Sequence, residues 1–438
     1  MAKSIKIEKQ SSKFIKPFVR TPQTLTHFKL GFIDEFSPDV NVGVVLFFST
    51  NTHQTTNFIA RLEKSLEKTL TRFYPLAGRL YVDKNATIDC NDHGAEFIHA
   101  KVNIKLQDFL VSEANVKFID DFIPSKIGVV LQQSDPLLAV QVTTFECGGV
   151  AIGVNATHKI VDASTLSTLI NEWSVTNRQE NDNDNDNDND NDNDNDNDNI
   201  FSGTNFISSL LFPPRGLCPM PVPPMNNDEL NKYTRKKLSF SESVISNMKA
   251  KGSKVQLITA IIWKAFMDVD TAIHYHQRES MLIQAVNLRG KMTSLIPKTS
   301  CGNLFGTCTT ECRTHEDVEE LTDRLSDSVK KCITNFSKVH HDCEEGQTMV
   351  LNSLLSLTNI RESTCGVIVT SWCKFPFYQV DFGFGKPIWA APGTIPINQS
   401  AYLMDDVQGN GVEAYVFLQV KDIPLFEEAL KHVITMSF

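Results

Sequence analysis

No stretch of this 438-residue sequence approaches the ~20 consecutive apolar residues that a bilayer-crossing helix needs, so no membrane span is expected. It holds no CxxC and no HxxxH pair, the spacings that most often bring metal ligands together, and its ten cysteines fall at irregular intervals. A bound metal is therefore not expected. Reduced thiols in the cytoplasm are the simplest reading of those cysteines. The basic opening, MAKSIKIEKQSSKFIKP, lacks the apolar core of a secretion signal. A basic excess is missing as well: 42 Lys and Arg stand against 52 Asp and Glu, so nucleic acid is not an expected partner. Even the acidity is local. Of the formal charge of -10, nine units come from residues 181–199, where Asn and Asp alternate, and the remainder is close to neutral. A P-loop, a dinucleotide-binding glycine fingerprint and a GxSxG elbow are also absent, which leaves no common phosphate cradle and no serine acyl-enzyme.

The length suffices for two packed domains. Residues 56–73 carry Ile59, Leu62, Leu66, Leu70 and Phe73 on one face of a predicted amphipathic helix that Pro75 stops. Residues 138–146 alternate as a strand, Gly148 and Gly149 supply a turn, and residues 150–158 return as a second strand. A helix is predicted from Asp162, burying Leu166, Leu169, Ile170 and Trp173. The Asn-Asp tract cannot bury apolar surface and is expected to be disordered, and the proline-rich residues 212–225 read as an extended crossover. Beyond it, residues 255–267 are apolar nearly all round and predict a deeply buried helix. Residues 281–290, 366–372, 401–406 and 411–420 read as strands, and residues 425–434 as a closing helix. The expected organisation is a domain at 1–176, a linker at 177–237 and a second α/β domain at 238–438.

His158 and Asp162 stand four residues apart where a strand gives way to a helix, as HxxxD. A neutral imidazole there could act as a general base. Asp162 is equally suited to cap the helix by accepting an N–H from Ser164 or Thr165. Further along, residues 381–387 read D-F-G-F-G-K-P. HxxxD followed some two hundred residues later by DFGWG is the paired signature of the BAHD acyltransferases, which the sequence resembles. The likeness continues in order through Y-P-L-A-G-R at 74–79, C-N-D at 90–92 with Gly94 and Phe97, Q-A-V-N-L-R at 284–289 and Gly302-Asn303. Around Thr21-Pro22-Gln23, residues 145–149 and residues 371–373 it is most similar to the vinorine synthase-type group that acetylates alkaloid alcohols.

The resemblance implies an α/β fold of the chloramphenicol-acetyltransferase-like type. Two similar-sized domains, each a mixed sheet flanked by helices, would border an active-site tunnel. It implies that an acyl-CoA, acetyl-CoA favoured, is a co-substrate with no permanently bound cofactor, and that the partner is a small-molecule alcohol. It further implies a cytoplasmic monomer. His158 would be the general base. Asp162 would organise the His loop through an arginine, with Arg289 the candidate and Asp381 competing for it. Asp381, Gly383, Phe384 and Gly385 would form a structural motif. Phe384 replaces the usual Trp and is expected to serve by packing. Ser253 and Lys254 match positions near the nucleotide end of CoA, where a helix N-terminus and a cation suit a phosphate, and Thr370 and Ser371 are candidates for the pantetheine path. Each of these four could equally be a cap or a strand residue. Phe32 and Phe36 could face the acceptor or simply fill the core. Other acyl donors, terpenoid or phenolic acceptors, a degenerate binding protein and a carrier-dependent condensation domain are the competing readings. The lack of an adjoining carrier segment disfavours the last.

Overall fold

A computed structural model describes every residue except 1–4, 51–54, 82–86, 125–129, 131, 184–205, 222–231, 293–295, 314–315, 339–342 and 395–396. The chain forms two compact units. The first comprises Met1–Val222, Thr299–Asn303 and Phe375–Gly393, and the second Pro223–Lys298, Leu304–Lys374 and Thr394–Phe438.

The first unit is built on a six-stranded mixed sheet in the order Ile7–Ile15, Ala95–Val102, Leu138–Phe145, Val150–Thr157, Asn41–Phe48 and Trp389–Pro392. Only Ala95–Val102 and Leu138–Phe145 pair in parallel. Asn41–Phe48 and Val150–Thr157 are buried along their whole length and lie in the interior of the sheet, as their near-continuous apolar residues require. On one face, Phe47 stacks on Trp389 at 5.0 Å, and Phe109, Phe122 and Phe145 pack around them. Gly153 is needed for this layer. A Cβ there would stand 1.9 Å from the Phe122 carbonyl oxygen, so only a residue with no side chain lets the Glu113–Phe122 turn cross the strand. Helix Thr55–Arg72 buries Leu62, Leu66 and Leu70 of its predicted stripe against helix Ala163–Asn183, with Phe58 buried in place of Ile59, which is half-buried. The Trp173 indole N–H donates to the Leu62 carbonyl and the Ser65 hydroxyl, which satisfies the one polar atom of a fully buried ring.

The second unit repeats the plan with the order Phe305–Cys312, Ser280–Asn287, Cys365–Ser371, Ser400–Asp405, Val412–Gln419 and Tyr233–Phe240. The two central pairings, of Ser280–Asn287 with Cys365–Ser371 and of the latter with Ser400–Asp405, are parallel. Helix Lys254–His274 is buried from Leu257 to Met267, as its unbroken apolar run predicts. It packs with helices Val318–Phe336 and Ile423–Met436 against one face of the sheet.

The sequence division at 176 and 238 differs from these units at Thr299–Asn303, which belongs to the first unit, and in three further places. Helix Ala163–Asn183 continues through residue 176, and strand Tyr233–Phe240 begins before 238. Residues 375–393, which include the DFGFG motif, join the first unit because Trp389–Pro392 adds the edge strand beside Asn41–Phe48. The Asn-Asp tract beyond Asn183 and the last residues of the proline-rich stretch lie outside the described residues. The earlier part of that stretch has no regular structure, and its Arg215 and Leu217 N–H groups donate to the buried Glu35 carboxylate.

Candidate active site

His158 follows the last residue of strand Val150–Thr157, in a turn closed by the Val161 N–H donating to the Thr157 carbonyl at 3.1 Å. Its backbone is held on both sides. The N–H donates to the Val40 carbonyl at 2.8 Å, and the carbonyl accepts the Asn303 side-chain N–H at 2.6 Å. The imidazole is part-exposed. Burial lowers its pKa below the usual value; its own carbonyl, Asp162 and the Asn303 amide pull upward, and Lys159 adds a further downward push. At neutral pH the ring is therefore unprotonated, the state a general base requires.

Asp162 is buried, and its Oδ1 accepts the Thr165 N–H at 2.8 Å. The helix-cap reading of this carboxylate is thus realised at one of the two N–H groups named for it. The Thr165 hydroxyl donates to the Gly302 carbonyl at 3.0 Å and accepts the Gly302 N–H at 3.1 Å, while Val161 pairs with Gly302 in a short parallel bridge. Gly302 has φ +107, and a Cβ there would lie 2.6 Å from the Ser208 hydroxyl. That position accepts no other residue without strain. The Gly302-Asn303 turn is therefore part of the His158 site itself.

Two residues that sequence reasoning passed over complete the turn. Lys159, almost wholly buried, donates to the carbonyls of Ser37 at 2.7 Å and Glu35 at 3.0 Å, approaches that of Asp34 at 3.5 Å, and pairs with Asp39 at 3.0 Å. Burial lowers its pKa, and Asp39, Asp34 and Glu35 oppose that. Asp34 is fully buried and accepts the N–H groups of Gly31 and Asn303 and the Ser208 hydroxyl. Burial pushes its carboxyl up to about 6 despite those donors. The available signal was a carboxylate inside the apolar run G-F-I-D-E-F, which must find donors if it is buried. Phe32 and Phe36 are core residues, with Phe32 edge-on to Phe212 at 5.3 Å.

The D-F-G-F-G motif is a folded loop. The Asp381 carboxylate accepts the N–H groups of Gly383 at 2.7 Å and Gly385 at 3.1 Å, both glycines at positive φ. Arg178 and Asn177, on helix Ala163–Asn183, donate to the carbonyls of Asp381 and Phe382. Phe384 meets Phe58 edge-on at 4.5 Å and Phe48 at 4.9 Å. Phe48 pairs with Val150, whereas Asn41, seven residues away on the same strand, pairs with Thr157 beside His158. At ~3.3 Å per residue that separation is about 23 Å, so Phe384 packs and does not touch the chemistry. Replacing Phe384 by Trp should change turnover less than about 2-fold. Phe384→Ala should cost about 2–3 kcal/mol in urea unfolding, below the ~3–5 kcal/mol of a fully buried ring. A large loss of turnover in a stable Ala variant would contradict this.

The remaining candidates lie in the second unit. Arg289 is buried just after strand Ser280–Asn287, where its N–H and guanidinium both donate to Asn287 Oδ1 at 3.1 Å. Ser253 caps helix Lys254–His274, accepting the Gln256 N–H while Gln256 reaches back to the Ser253 N–H. Lys254 pairs with Asp405 at 2.7 Å and donates to the carbonyls of Gly409 and Gly411. Asp405 also accepts the Lys374 N–H at 2.6 Å. Thr370 and Ser371 are half-buried at the end of strand Cys365–Ser371, and the Ser371 hydroxyl accepts the Cys373 N–H. Cys373 feels the charges of both Asp405 and Lys254, so Lys254 and Ser371 fall in one neighbourhood around Asp405. Among the described residues no group of three or more His, Cys, Asp or Glu side chains is placed to hold a metal ion, and no helix is long and apolar enough to cross a membrane.

The model of the Transferase family matches residues 5–205 and 219–433. The chain belongs to this family, the BAHD acyltransferases. It is 31% identical to vinorine synthase of Rauvolfia serpentina, with 99% of each chain covered. It is 30% identical to a pelargonidin-glucoside malonyltransferase of Salvia splendens, over 98% of this chain and all of that one, and 29% identical to stemmadenine O-acetyltransferase of Catharanthus roseus, over 98% of both. The crystal structure of vinorine synthase superposes with a TM-score of 0.79 at 29% identity, covering 96% of each chain. The fold is that of the CoA-dependent acyltransferases, and this BAHD chain is an acyltransferase.

Proposed function

We propose that this BAHD protein transfers acetyl from acetyl-CoA to a hydroxyl of a plant specialised metabolite, an alkaloid alcohol favoured, with His158 as general base. The observation that carries the reading is the part-buried imidazole of His158, held neutral in a turn whose backbone is fixed on both sides. A thioester is reactive already; the barrier lies in the alcohol, which attacks poorly while it keeps its proton. A neutral imidazole within hydrogen-bond reach accepts that proton as the C–O bond forms. As the tetrahedral intermediate collapses, the imidazolium returns the proton to the departing sulfur, giving the ester and free CoA thiol. No acyl-enzyme is needed. Asp162 supports the turn through Thr165.

Acetyl is favoured over other donors because stemmadenine O-acetyltransferase is similar along nearly the whole chain. The similar malonyltransferase makes malonyl the competing donor. The deciding experiment incubates the protein with acetyl-CoA or malonyl-CoA and a panel of alkaloid, limonoid and phenolic alcohols, following thiol release and product mass. One acetyl unit gained on alkaloid alcohols supports the proposal. Malonyl transfer to a phenolic glycoside would replace it, and no thiol release with any pair would leave a binding protein.

For the donor, Ser253, Lys254, Thr370 and Ser371 are proposed to line the CoA path, on the strength of the neighbourhood that Lys254 and Ser371 share around Asp405. Lys254→Ala should raise the KM for acyl-CoA about 10-fold and leave kcat nearly unchanged, as loss of one charged phosphate contact would. An unchanged KM with a lowered unfolding midpoint would assign Lys254 to the Asp405–Gly411 turn alone.

A further inference from the structure

Asp34 is a fully buried carboxylate in a chain whose catalytic signature does not include it. Taking an unpaired carboxylate out of water costs several kcal/mol, and an Asn of nearly the same shape would avoid the charge. What the charge secures is visible in the donors gathered on it. Its Oδ2 accepts the Ser208 hydroxyl at 2.6 Å and the Gly31 N–H at 2.9 Å, and its Oδ1 accepts the Asn303 N–H at 3.1 Å. Those three donors come from separate stretches of the first unit. Ser208 is also the residue against which Gly302 is packed. Asn303, fixed at its backbone by Asp34, turns its side-chain N–H onto the His158 carbonyl at 2.6 Å.

We propose that Asp34 is a positioning residue for acyl transfer, acting through Asn303 to fix where the His158 imidazole stands. The relay is short: carboxylate to Asn303 backbone, Asn303 amide to His158 backbone, His158 ring to substrate. The first two links are hydrogen bonds between buried or part-buried groups, so each is stiff. A misplacement of about 1 Å at a reacting group can cost on the order of 100-fold in rate, which is the scale on which such a relay matters. This inference rests on the general-base reading of His158 and extends it to residues outside the HxxxD motif. The charged groups around the relay are Lys159, whose ammonium approaches the Asp34 carbonyl at 3.5 Å, and Glu35, Asp39 and Asp162, which bear on Lys159 or His158.

Asn at position 34 separates positioning from stability. Three donors converge on the carboxylate, and an amide offers one oxygen, so the Gly31 and Asn303 N–H groups must compete for it while the Ser208 hydroxyl turns to accept. The buried charge disappears at the same time. Because burial holds the Asp34 carboxyl up at about 6, the ionised form costs stability at neutral pH, and Asp34→Asn recovers part of what the lost bond costs. The unfolding midpoint should therefore move little while the relay is cut.

The experiment compares Asp34→Asn, Asn303→Ala and the double variant, using thiol release from acetyl-CoA with the alcohol turned over fastest in the panel above. Each single change should lower kcat about 10- to 100-fold and leave the KM for acetyl-CoA within about 2-fold. The double variant should be no slower than the slower single, because both cut one chain. Losses that multiply, or a KM effect with kcat intact, overturn the relay. If Asp34→Asn does not fold, Ser208→Ala, which removes one donor, should lower kcat about 3- to 10-fold, and no change overturns the proposal. A second readout needs no turnover: carbethoxylation of His158 by diethyl pyrocarbonate, mapped by peptide mass across pH. Asp34→Asn and Asn303→Ala should shift its rate profile alike, and unaltered profiles in both variants overturn the proposal. Should His158→Ala remain active while these profiles still shift together, the general-base reading fails and the relay stands.

Discussion

His158→Ala should lower turnover by about 10²–10⁴-fold, the range a positioned general base supplies, and should leave the protein folded. The second half of that expectation comes from where the bonds are. The turn is held by the His158 N–H on Val40 and by the His158 carbonyl under Asn303, and alanine keeps both. The pH dependence follows from the direction of the imidazole's shift. Burial holds its pKa below the unperturbed value of 6.5, so the rate should rise with pH through that lowered pKa and be flat at and above neutrality. Stability carries the same sign. Below about 6.5 the unfolded chain takes up a proton that the folded site resists. Acidification from 6.5 toward the folded pKa should therefore destabilise the wild type more than His158→Ala. Equal acid sensitivity of the two proteins, or near-normal turnover in the variant, would remove His158 from the centre of the mechanism.

The elements were legible in the sequence because their signals are local. The stripe of Leu62, Leu66 and Leu70 predicts helix Thr55–Arg72, and the unbroken apolar run after Lys254 predicts a helix buried on all sides. Strand and turn around Gly148 and Gly149 follow from alternation and two small residues, and the structure adds only that the two strands pair antiparallel. The division of the chain was less legible. Residues 375–393 return to the first sheet, and nothing in the composition of Trp389–Pro392 says which sheet a four-residue strand will join. That is decided by Trp389 stacking on Phe47, a contact between residues more than three hundred apart in sequence.

For the site, the motif pointed to His158 and Asp162, but not to what holds them. Gly302-Asn303 was noticed only as part of a family pattern. Its physical role depends on Thr165, Ser208 and Asp34 arriving at one place. Long-range polar convergence of that kind has no periodicity to read. Lys254 illustrates the opposite case. A cation at a helix start suggests a phosphate from sequence alone, while its partners Asp405, Gly409 and Gly411 emerge only from tertiary structure.

Lys159→Met should be the most destabilising single change in the His158 turn, about 3 kcal/mol by urea unfolding. Methionine replaces most of the lysine stem, so little cavity opens and the loss is polar. The ammonium group bonds the carbonyls of Glu35 and Ser37 and approaches that of Asp34, at the C-terminal end of the short helix Phe32–Phe36, where carbonyls have no partner within the helix. Each buried carbonyl left without a donor costs roughly 1–3 kcal/mol. The ion pair with Asp39 adds little to this sum, because the Asp39 side chain is 37% exposed and water replaces much of what it loses. Arginine should not rescue the variant. Its planar fork is broader than an ammonium and cannot enter a slot walled by three backbone carbonyls. Turnover should fall less than in His158→Ala, about 10-fold in the folded fraction. Lys159 fixes the segment next to the base and the backbone of Asp34, yet it takes no proton in the reaction. A Lys159→Met protein as stable as the wild type would mean that water can reach those carbonyls and that the turn does not depend on this buried cation.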